Sequence, residues 1–499
     1  MNPLKSLPIA VLGAGAAGLS ASLELLSRGE NVHLFEAHRL PGGCASWFRR
    51  SSKIGALQFD VGATVLDGFL APALLAQRIK KWGVEIPNFE AMPGIYFKLA
   101  QERPAFWLST KSPAEWIKSL QTAFPEDRHF IEQELSRLLS LAESLKELVE
   151  ETPHYPLERV SDFLDNLRLI PKLPALVKNI LACGDFDFEK WLDARPHSKE
   201  LSHWIRMNLL ITVQCAPERI YTPWAALALS FYPLGAGTLP GGMRSLMEAL
   251  LRKIIANPKA QVSLNHKVSK IVRNHKGFWI DEQGPFKAVI SSLSRFNTAL
   301  MAPPESFPIA DAGWHLDQHE LWGAVTAYVA TKDRLEWPEA AFNLHSKMAE
   351  GTGDDGNEAY LSFSKRDDIS RAPAGYRVAT LSTHTRPSEW NTLDADAYGA
   401  LKEELGQRLL RHLESFAPNT EIAHVEFGTP KSFERYTHRK DGHVGGLPMT
   451  RENTLLSPRS QRTRLAGLYQ IGDTSFPGQS VYACALGALT AVEKICRKT

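Results

Sequence analysis

Pro8-Ile9-Ala10-Val11-Leu12 runs straight into Gly13-Ala14-Gly15-Ala16-Ala17-Gly18, after which Leu19, Leu23 and Leu26 recur at helical spacing up to Arg28-Gly29. This order predicts a strand, a glycine turn and a helix, and Val32 to Glu36 adds a second strand to complete a βαβ unit of about 30 residues. Glycines placed there serve a tight turn, close backbone approach to a pyrophosphate, and close packing of helix on strand. Glu36 ends the second strand 18 residues after Gly18, where a carboxylate accepts hydrogen bonds from both ribose hydroxyls of an adenosine. The same carboxylate would repel a 2′-phosphate, which argues against NADP. The alternative, a glycine turn that only packs, leaves Glu36 unexplained.

The remaining composition narrows the class. At 499 residues the chain is long enough for two large domains or three average ones, and 44% hydrophobic with 22% charged residues is the balance of a folded enzyme. A net charge of +2 is too small for affinity built on neutralising phosphates, so nucleic acid is not expected as a partner. The five cysteines form no CxxC pair and no ligand-spaced cluster, which predicts a reducing, cytoplasmic setting and no metal site. The apolar run from Ile9 to Leu26 is broken by glycines, carries Glu24 and is preceded only by Lys5, so it is assigned to the fold rather than to a secretory signal. No other window approaches ~18 apolar residues, which leaves peripheral contact, on the cytoplasmic face, as the expected mode of any membrane association.

Beyond the βαβ unit the pattern is largely helical from about Ala71 to Ser230, with Ile131, Leu135, Leu138, Leu145 and Leu148 on one face. Short strands are predicted at Gln261 to Leu264, Val268 to Val272, Phe278 to Ile280 and Ala288 to Ser291, and a mixed or antiparallel sheet from Trp322 to Phe427. Leu468 to Ile471 is a last strand, Gly472 to Gln479 a loop, and Val481 to Ile495 a closing helix. The expected organisation is an α/β chain with a discontinuous dinucleotide domain from 1–70, 235–300 and 460–499. A substrate domain of mixed sheet and helices comes from 71–234 and 301–459.

Arg39-Leu40-Pro41-Gly42-Gly43 continues from Glu36-Ala37 into a second glycine loop, followed by Phe59-Asp60-Val61-Gly62-Ala63-Thr64. Near the other end stand Thr429 to Tyr436 and Gly472-Asp473-Thr474-Ser475-Phe476-Pro477-Gly478-Gln479. Together these motifs resemble the FAD-dependent carotenoid desaturases and carotenoid isomerases of the amine oxidase superfamily, with retinol saturase a cousin, and they span the chain. The resemblance implies a Rossmann-type FAD domain. It places Gly13, Gly15, Ala16, Ala17, Gly18, Glu36, Ala37 and Arg39 along the adenosine and pyrophosphate, with Gly42, Gly43, Val61 and Gly62 beyond them. It sets the Val268 backbone against the adenine and Gly472 and Asp473 on the ribityl and pyrophosphate side. It leaves the amides near Gln479 and Val481 facing the flavin carbonyls, where a helix N-terminus favours negative charge. Two departures bear on the branch: Gly472-Asp473 replaces the Gly-Glu usual in amine oxidases, and Cys44 replaces an Arg common in desaturases, which leans toward the isomerase, saturase and late-pathway desaturase branch.

No Ser-His-Asp order, His-Glu-x-x-His pair or paired carboxylates emerge, and catalytic residues stay unassigned. A polyene offers nothing to hydrogen-bond, so its site is expected to be an apolar channel with the chemistry left to the flavin. The expected reaction is desaturation of a lipophilic polyene, electrons passing from FAD to oxygen or a quinone; redox-neutral cis–trans isomerisation, saturation, an amine oxidase-like activity, or carotenoid binding without turnover are the rivals. His443 and Glu434, in the glycine-bearing loop from Phe433 to Pro448, are expected at a surface turn more than at a site. Trp204, Tyr221, Trp224, Phe231 and Tyr232 suit either a channel wall or the core. The segment Phe163 to Leu192, with Leu164, Leu167, Ile170, Leu173, Leu176, Val177, Ile180, Leu181 and the cations Arg168, Lys172 and Lys178, suits either bilayer docking or packing on the protein's own core.

Overall fold

The computed structural model describes residues 6–69, 73–152, 155–156, 158, 162, 164, 171, 173–215, 217–307, 321–347, 357–450 and 459–496. The chain starts with β1 (Ile9–Leu12), α1 (Ala16–Ser27) and β2 (Val32–Phe35), then the hairpin of β3 (Trp47–Ser52) and β4 (Gly55–Asp60). Strands β5 (Gly94–Lys98) and β6 (Phe106–Ser109) precede the helices α2 (Ser136–Glu151), α3 (Leu173–Cys183), α4 (Lys199–Val213), α5 (Thr222–Leu229) and α6 (Met243–Ile255). Next come β7 (Ala260–Ser263), β8 (Ala288–Ser291), β9 (Gly323–Lys332), β10 (Phe342–Lys347), β11 (Glu358–Phe363) and β12 (Tyr376–Thr385). The end comprises α7 (Ala395–Phe416), β13 (Ile422–Gly428), α8 (Pro430–Thr437), β14 (Leu468–Gln470) and α9 (Val481–Cys496).

Two sheets organise these elements. The first is parallel and five-stranded, in the order β14-β8-β1-β2-β7, and gathers strands from three separated stretches of chain. Its central strands are buried on both faces, as continuous apolar runs such as Ile9 to Leu12 require. Helices α1, α6 and α9 pack together beside it. The second is mixed and seven-stranded, β13-β9-β12-β11-β10-β5-β6, with β5 and β10 its parallel pair. Because strand side chains alternate, Val325, Ala327, Leu344, Leu361 and Leu381 pack on Leu405, Leu409 and Leu413 of α7, while their neighbours face the other way. The seven-stranded sheet is fastened to the end of β4 in the separate β3–β4 hairpin: Thr380 Oγ1 donates to Asp60 O at 3.0 Å and Tyr328 Oη to Val61 O at 2.7 Å.

The stretch from 71 to 230 is largely helical as expected, and β5 and β6 within it add strands that close the edge of the large sheet against β10. Contrary to expectation, Val268 does not lie in a strand: Asn265 turns the chain with φ 54°. The Asp281 carboxylate then accepts the Ser269 and Lys270 amides at 3.0 and 2.9 Å, so pairing starts only at Ile271.

Candidate functional site

The turn after β1 builds a cradle. Gly15 precedes α1 with no side chain capping the helix, so the first-turn amides stay open, and Gly15 bridges Gly42 while the Gly42 amide donates to Ala14 O at 2.8 Å. A Cβ on Gly15 would meet only Gly42 O, at 3.8 Å, so its missing side chain leaves room for a ligand instead of relieving a clash. Gly18 is the opposite case, because a Cβ there would lie 1.9 Å from Gly13 O. Gly13, Gly15, Ala16 and Ala17 line a large cavity, whereas Gly18 stands behind them and its missing side chain lets α1 pack on the turn.

Glu36 sits at the end of β2 and turns its carboxylate back on this cradle, accepting the Ala14 amide at 2.6 Å and the His38 amide at 2.8 Å. Burial pushes its pKa up, and those two amides oppose the rise. Ala37, Arg39 and Val268 line the same end. Farther along, Gly42, Gly43, Val61 and Gly62 continue the lining, with Val61 and Ala63 amides donating to Ser46 O and Cys44 O at 2.9 and 3.1 Å.

The C-terminal motif closes the other side. Gly472, Asp473, Gln479 and Val481 all line the cavity, but two of their side chains are already engaged. Arg439 forks onto Asp473, and the Gln479 amide donates to the Ile211 and Thr212 carbonyls at the end of α4. Although burial alone would lower it, the Asp473 and Cys44 side chains hold the Arg439 guanidinium above its ordinary range. Asp67 is a lining residue that no motif reveals. Its carboxyl meets the Ser480 hydroxyl and the Tyr482 amide at the start of α9, and burial pushes its pKa up to about 6. Gly68 beside it admits the Tyr482 ring, since a Cβ there would lie 2.1 Å from that ring, a contact the sequence does not announce.

All these groups open on one cavity of about 1760 Å³. Ligand pockets commonly hold roughly 300–1,000 Å³, so the space admits a dinucleotide and a second long molecule. Its helical wall is apolar, with Ile211, Val213, Trp224, Leu227, Ala228 and Phe231. Trp224, Phe231 and Tyr232 belong to the wall, whereas Trp204 and Tyr221 do not. The sheet wall is not the apolar surface expected: Thr326, Tyr328, Tyr360, Thr380, Ser382 and His384 face it because the apolar face of the same strands is taken by α7. Contrary to expectation His443 is buried, its Nδ1 on Lys440 O at 2.8 Å, and burial followed by Arg439 lowers its pKa; it does not line the cavity. Glu434 is exposed and accepts the Asp441 amide at 3.3 Å. Among the described residues no group of His, Cys, Asp and Glu could hold a metal ion.

Open helix amides, a buried carboxylate at a strand end and a side-chain-free cradle fit an adenine dinucleotide, and a second sheet domain roofs the site, which is the plan of a two-domain flavoprotein oxidoreductase. The family profile of the flavin containing amine oxidoreductases matches residues 16–496, and the chain belongs to that family. FAD is accordingly its cofactor and oxidoreduction its class of chemistry. Among curated relatives, the chloroplastic prolycopene isomerase of Arabidopsis thaliana is 23% identical over 511 residues, covering 97% of this chain and 82% of that protein. The 4,4'-diapophytoene desaturase (4,4'-diaponeurosporene-forming) of Staphylococcus aureus is 21% identical, covering 98% of both. Among solved structures, cyclohexylamine oxidase from Brevibacterium oxydans superposes with a TM-score of 0.60 at 14% identity, covering 99% of this chain and 100% of that one. An oxidoreductase from Methanosarcina mazei gives 0.60 at 16%, covering 98% and 100%.

Proposed function

We propose that the protein desaturates a long polyene of the carotenoid class, one hydrogen leaving the substrate as hydride for FAD and the neighbouring one as a proton to solvent, which forms the new double bond, while the electrons pass on from FAD to oxygen or a quinone. The observation that carries this reading is the single cavity joining the dinucleotide cradle to an apolar helical wall. Bound FAD supplies the hydride acceptor, N5 of its ring. Gly13, Gly15, Ala16 and Ala17 would hold the pyrophosphate and Glu36 the ribose hydroxyls. Ala37, Arg39 and Val268 would flank the adenosine, and Gly42, Gly43, Val61, Gly62, Gly472 and Asp473 the span between. Gln479 fixes the end of α4 beside the ring site, and the start of α9 at Val481 presents its amides there. Helices α4 and α5 lay the polyene along the cavity and exclude water, which is the positioning a hydrocarbon requires.

Redox-neutral isomerisation is the second reading, favoured by the prolycopene isomerase match over 97% of the chain. Expression in a carotenoid-producing host separates the two. Product lighter by two hydrogens supports desaturation, unchanged mass with shifted absorbance supports isomerisation, and product heavier by two hydrogens points to saturation. Unaltered pigments would remove the proposal.

Such a substrate partitions into lipid, so we also propose peripheral docking on the cytoplasmic membrane face. In the described part of the candidate segment, Leu164, Val177, Leu181 and Phe186 are exposed and Lys178 stands beside them, while Leu176 is buried. Leu167, Arg168, Ile170 and Lys172 lie outside the described residues, as does the Leu173 side chain. Among the described residues no helix is long and apolar enough to cross a membrane.

A further inference from the structure

A site for a pure hydrocarbon has no use for hydrogen-bonding groups, yet the sheet wall carries them in ordered rows. Register places Thr326 opposite Ser382, Ser382 opposite Tyr360, and Tyr360 opposite His345, so one row of polar side chains crosses four strands on a single face. In the neighbouring row Tyr328 and Thr380 are spent on the β4 end, at Val61 O and Asp60 O. Asn343, farther along β10, is not spent in that way. Its Nδ2 donates to the Tyr232 hydroxyl at 3.2 Å, and that hydroxyl meets His345 Nε2 at 3.0 Å. Asn343 and Tyr232 both line the cavity while only 6% and 5% exposed. Asn343 Oδ1 has no partner, and neither does His345 Nδ1. Turning the amide over would give the carbonyl a partner and orphan the nitrogen instead, so one amide atom is left open in either orientation.

A buried, unpaired amide costs free energy that folding alone does not return, and a ligand that completes its hydrogen bonds recovers it. We infer that the polyene carries an uncharged oxygen function, a hydroxyl or a carbonyl, and that Asn343 and Tyr232 bind it. This rests on the polyene reading above and narrows it to oxygenated isoprenoids. Neutrality follows from the surroundings: burial pushes the His345 pKa down to about 3 with no charged neighbour contributing, so the cluster has no cation to balance a carboxylate. The neutral Asn343 amide and Tyr232 hydroxyl instead suit an alcohol or ketone oxygen, and the apolar helical wall of the same cavity suits the hydrocarbon behind it.

The test uses the FAD-loaded full chain, titrated with one acyclic conjugated polyene and with the same polyene bearing a terminal hydroxyl, both in the same detergent micelles. Binding is followed by the shift in polyene absorbance. The hydroxylated ligand should bind at least about tenfold more tightly. Asn343→Leu should bring the two dissociation constants together by weakening only the hydroxylated ligand, and Tyr232→Phe, which keeps the ring, should act the same way. If Asn343→Leu loses its flavin absorbance through misfolding, Tyr232→Phe decides. Equal binding of both ligands by the wild type, or a preference untouched by Tyr232→Phe, overturns the inference and leaves the polyene reading standing. Binding of neither ligand overturns both.

Discussion

Arg439 closes on Asp473 inside the cavity, with Nη1 donating to Oδ2 at 2.8 Å and Nη2 to Oδ1 at 3.3 Å. Both side chains are largely buried, at 12% and 17% exposure, so each charge depends on the other for the solvation it has lost. Asp473 therefore has a structural task of its own, holding a buried guanidinium. Asp473→Ala should destabilise the flavin-free protein by about 3 kcal/mol, because an unpaired guanidinium stays buried. Adding Arg439→Leu should return much of that loss. Denaturant midpoints of the two variants and of the wild type check this, and an Asp473→Ala protein as stable as the wild type would refute it.

The two ends of the glycine turn should respond differently to substitution. Gly15→Val has space in the protein itself, the nearest atom to its Cβ being Gly42 O at 3.8 Å, so it should fold normally and emerge without flavin. Gly18→Ala sets a methyl 1.9 Å from a backbone carbonyl and should cost stability before binding is in question. Flavin absorbance against thermal midpoint separates the cases. A yellow Gly15→Val protein would show that the cradle does not hold the pyrophosphate.

His345 gives the protein an acid-side sensitivity. Burial lowers its folded-state pKa from 6.5 to about 3, so the unfolded chain binds the proton more readily between those values. The stabilisation is complete above pH 6.5 and is lost as pH falls toward 3, at up to about 1.4 kcal/mol per pH unit. His384, also buried and lowered to about 3, adds a second contribution of the same sign. In His345→Asn the slope of unfolding free energy against pH should become shallower by about that amount across the window, whatever the change in absolute stability. Parallel slopes for variant and wild type would contradict the assignment.

Membrane docking is checked by co-sedimentation with anionic liposomes at low salt. Val177 and Leu181 are 48% and 71% exposed, so Val177→Gln with Leu181→Gln should leave folding and flavin content intact while reducing sedimentation about tenfold. Raised ionic strength should weaken binding of the wild type as well. Protein that stays in the supernatant at low salt would end the docking proposal.

The dinucleotide turn was legible because its demands are local. Gly13 takes a left-handed φ of 91° and Gly18 packs on Gly13 O inside one βαβ unit, although both also lie against Ser292 beyond it, and Glu36 follows them at a spacing that the strand and helix lengths impose. The closing helix at Val481 and the loop before it were legible for the same reason. Strands β5 and β6 were not, since a few aromatic residues become a strand only when β10, about 250 positions later, offers its edge.

Amino-acid order alone thus determined the strand-turn-helix cradle and the carboxylate that faces it, whose defining contacts, Gly18 on Gly13 O and Glu36 on the Ala14 amide, close within one βαβ unit. Tertiary structure decided the partner of Asp473, the burial of His443, the place of Asp67, and the polar lining of the sheet wall. Alternation along β9 to β12 provides two chemically different faces, but nothing in those strands states which one meets the cavity. That choice was made when α7 covered the apolar face and left Asn343, Tyr360 and Ser382 toward the site. Contacts between residues far apart in the chain carry such decisions, because burial and the pairing of charges depend on what the rest of the fold brings alongside.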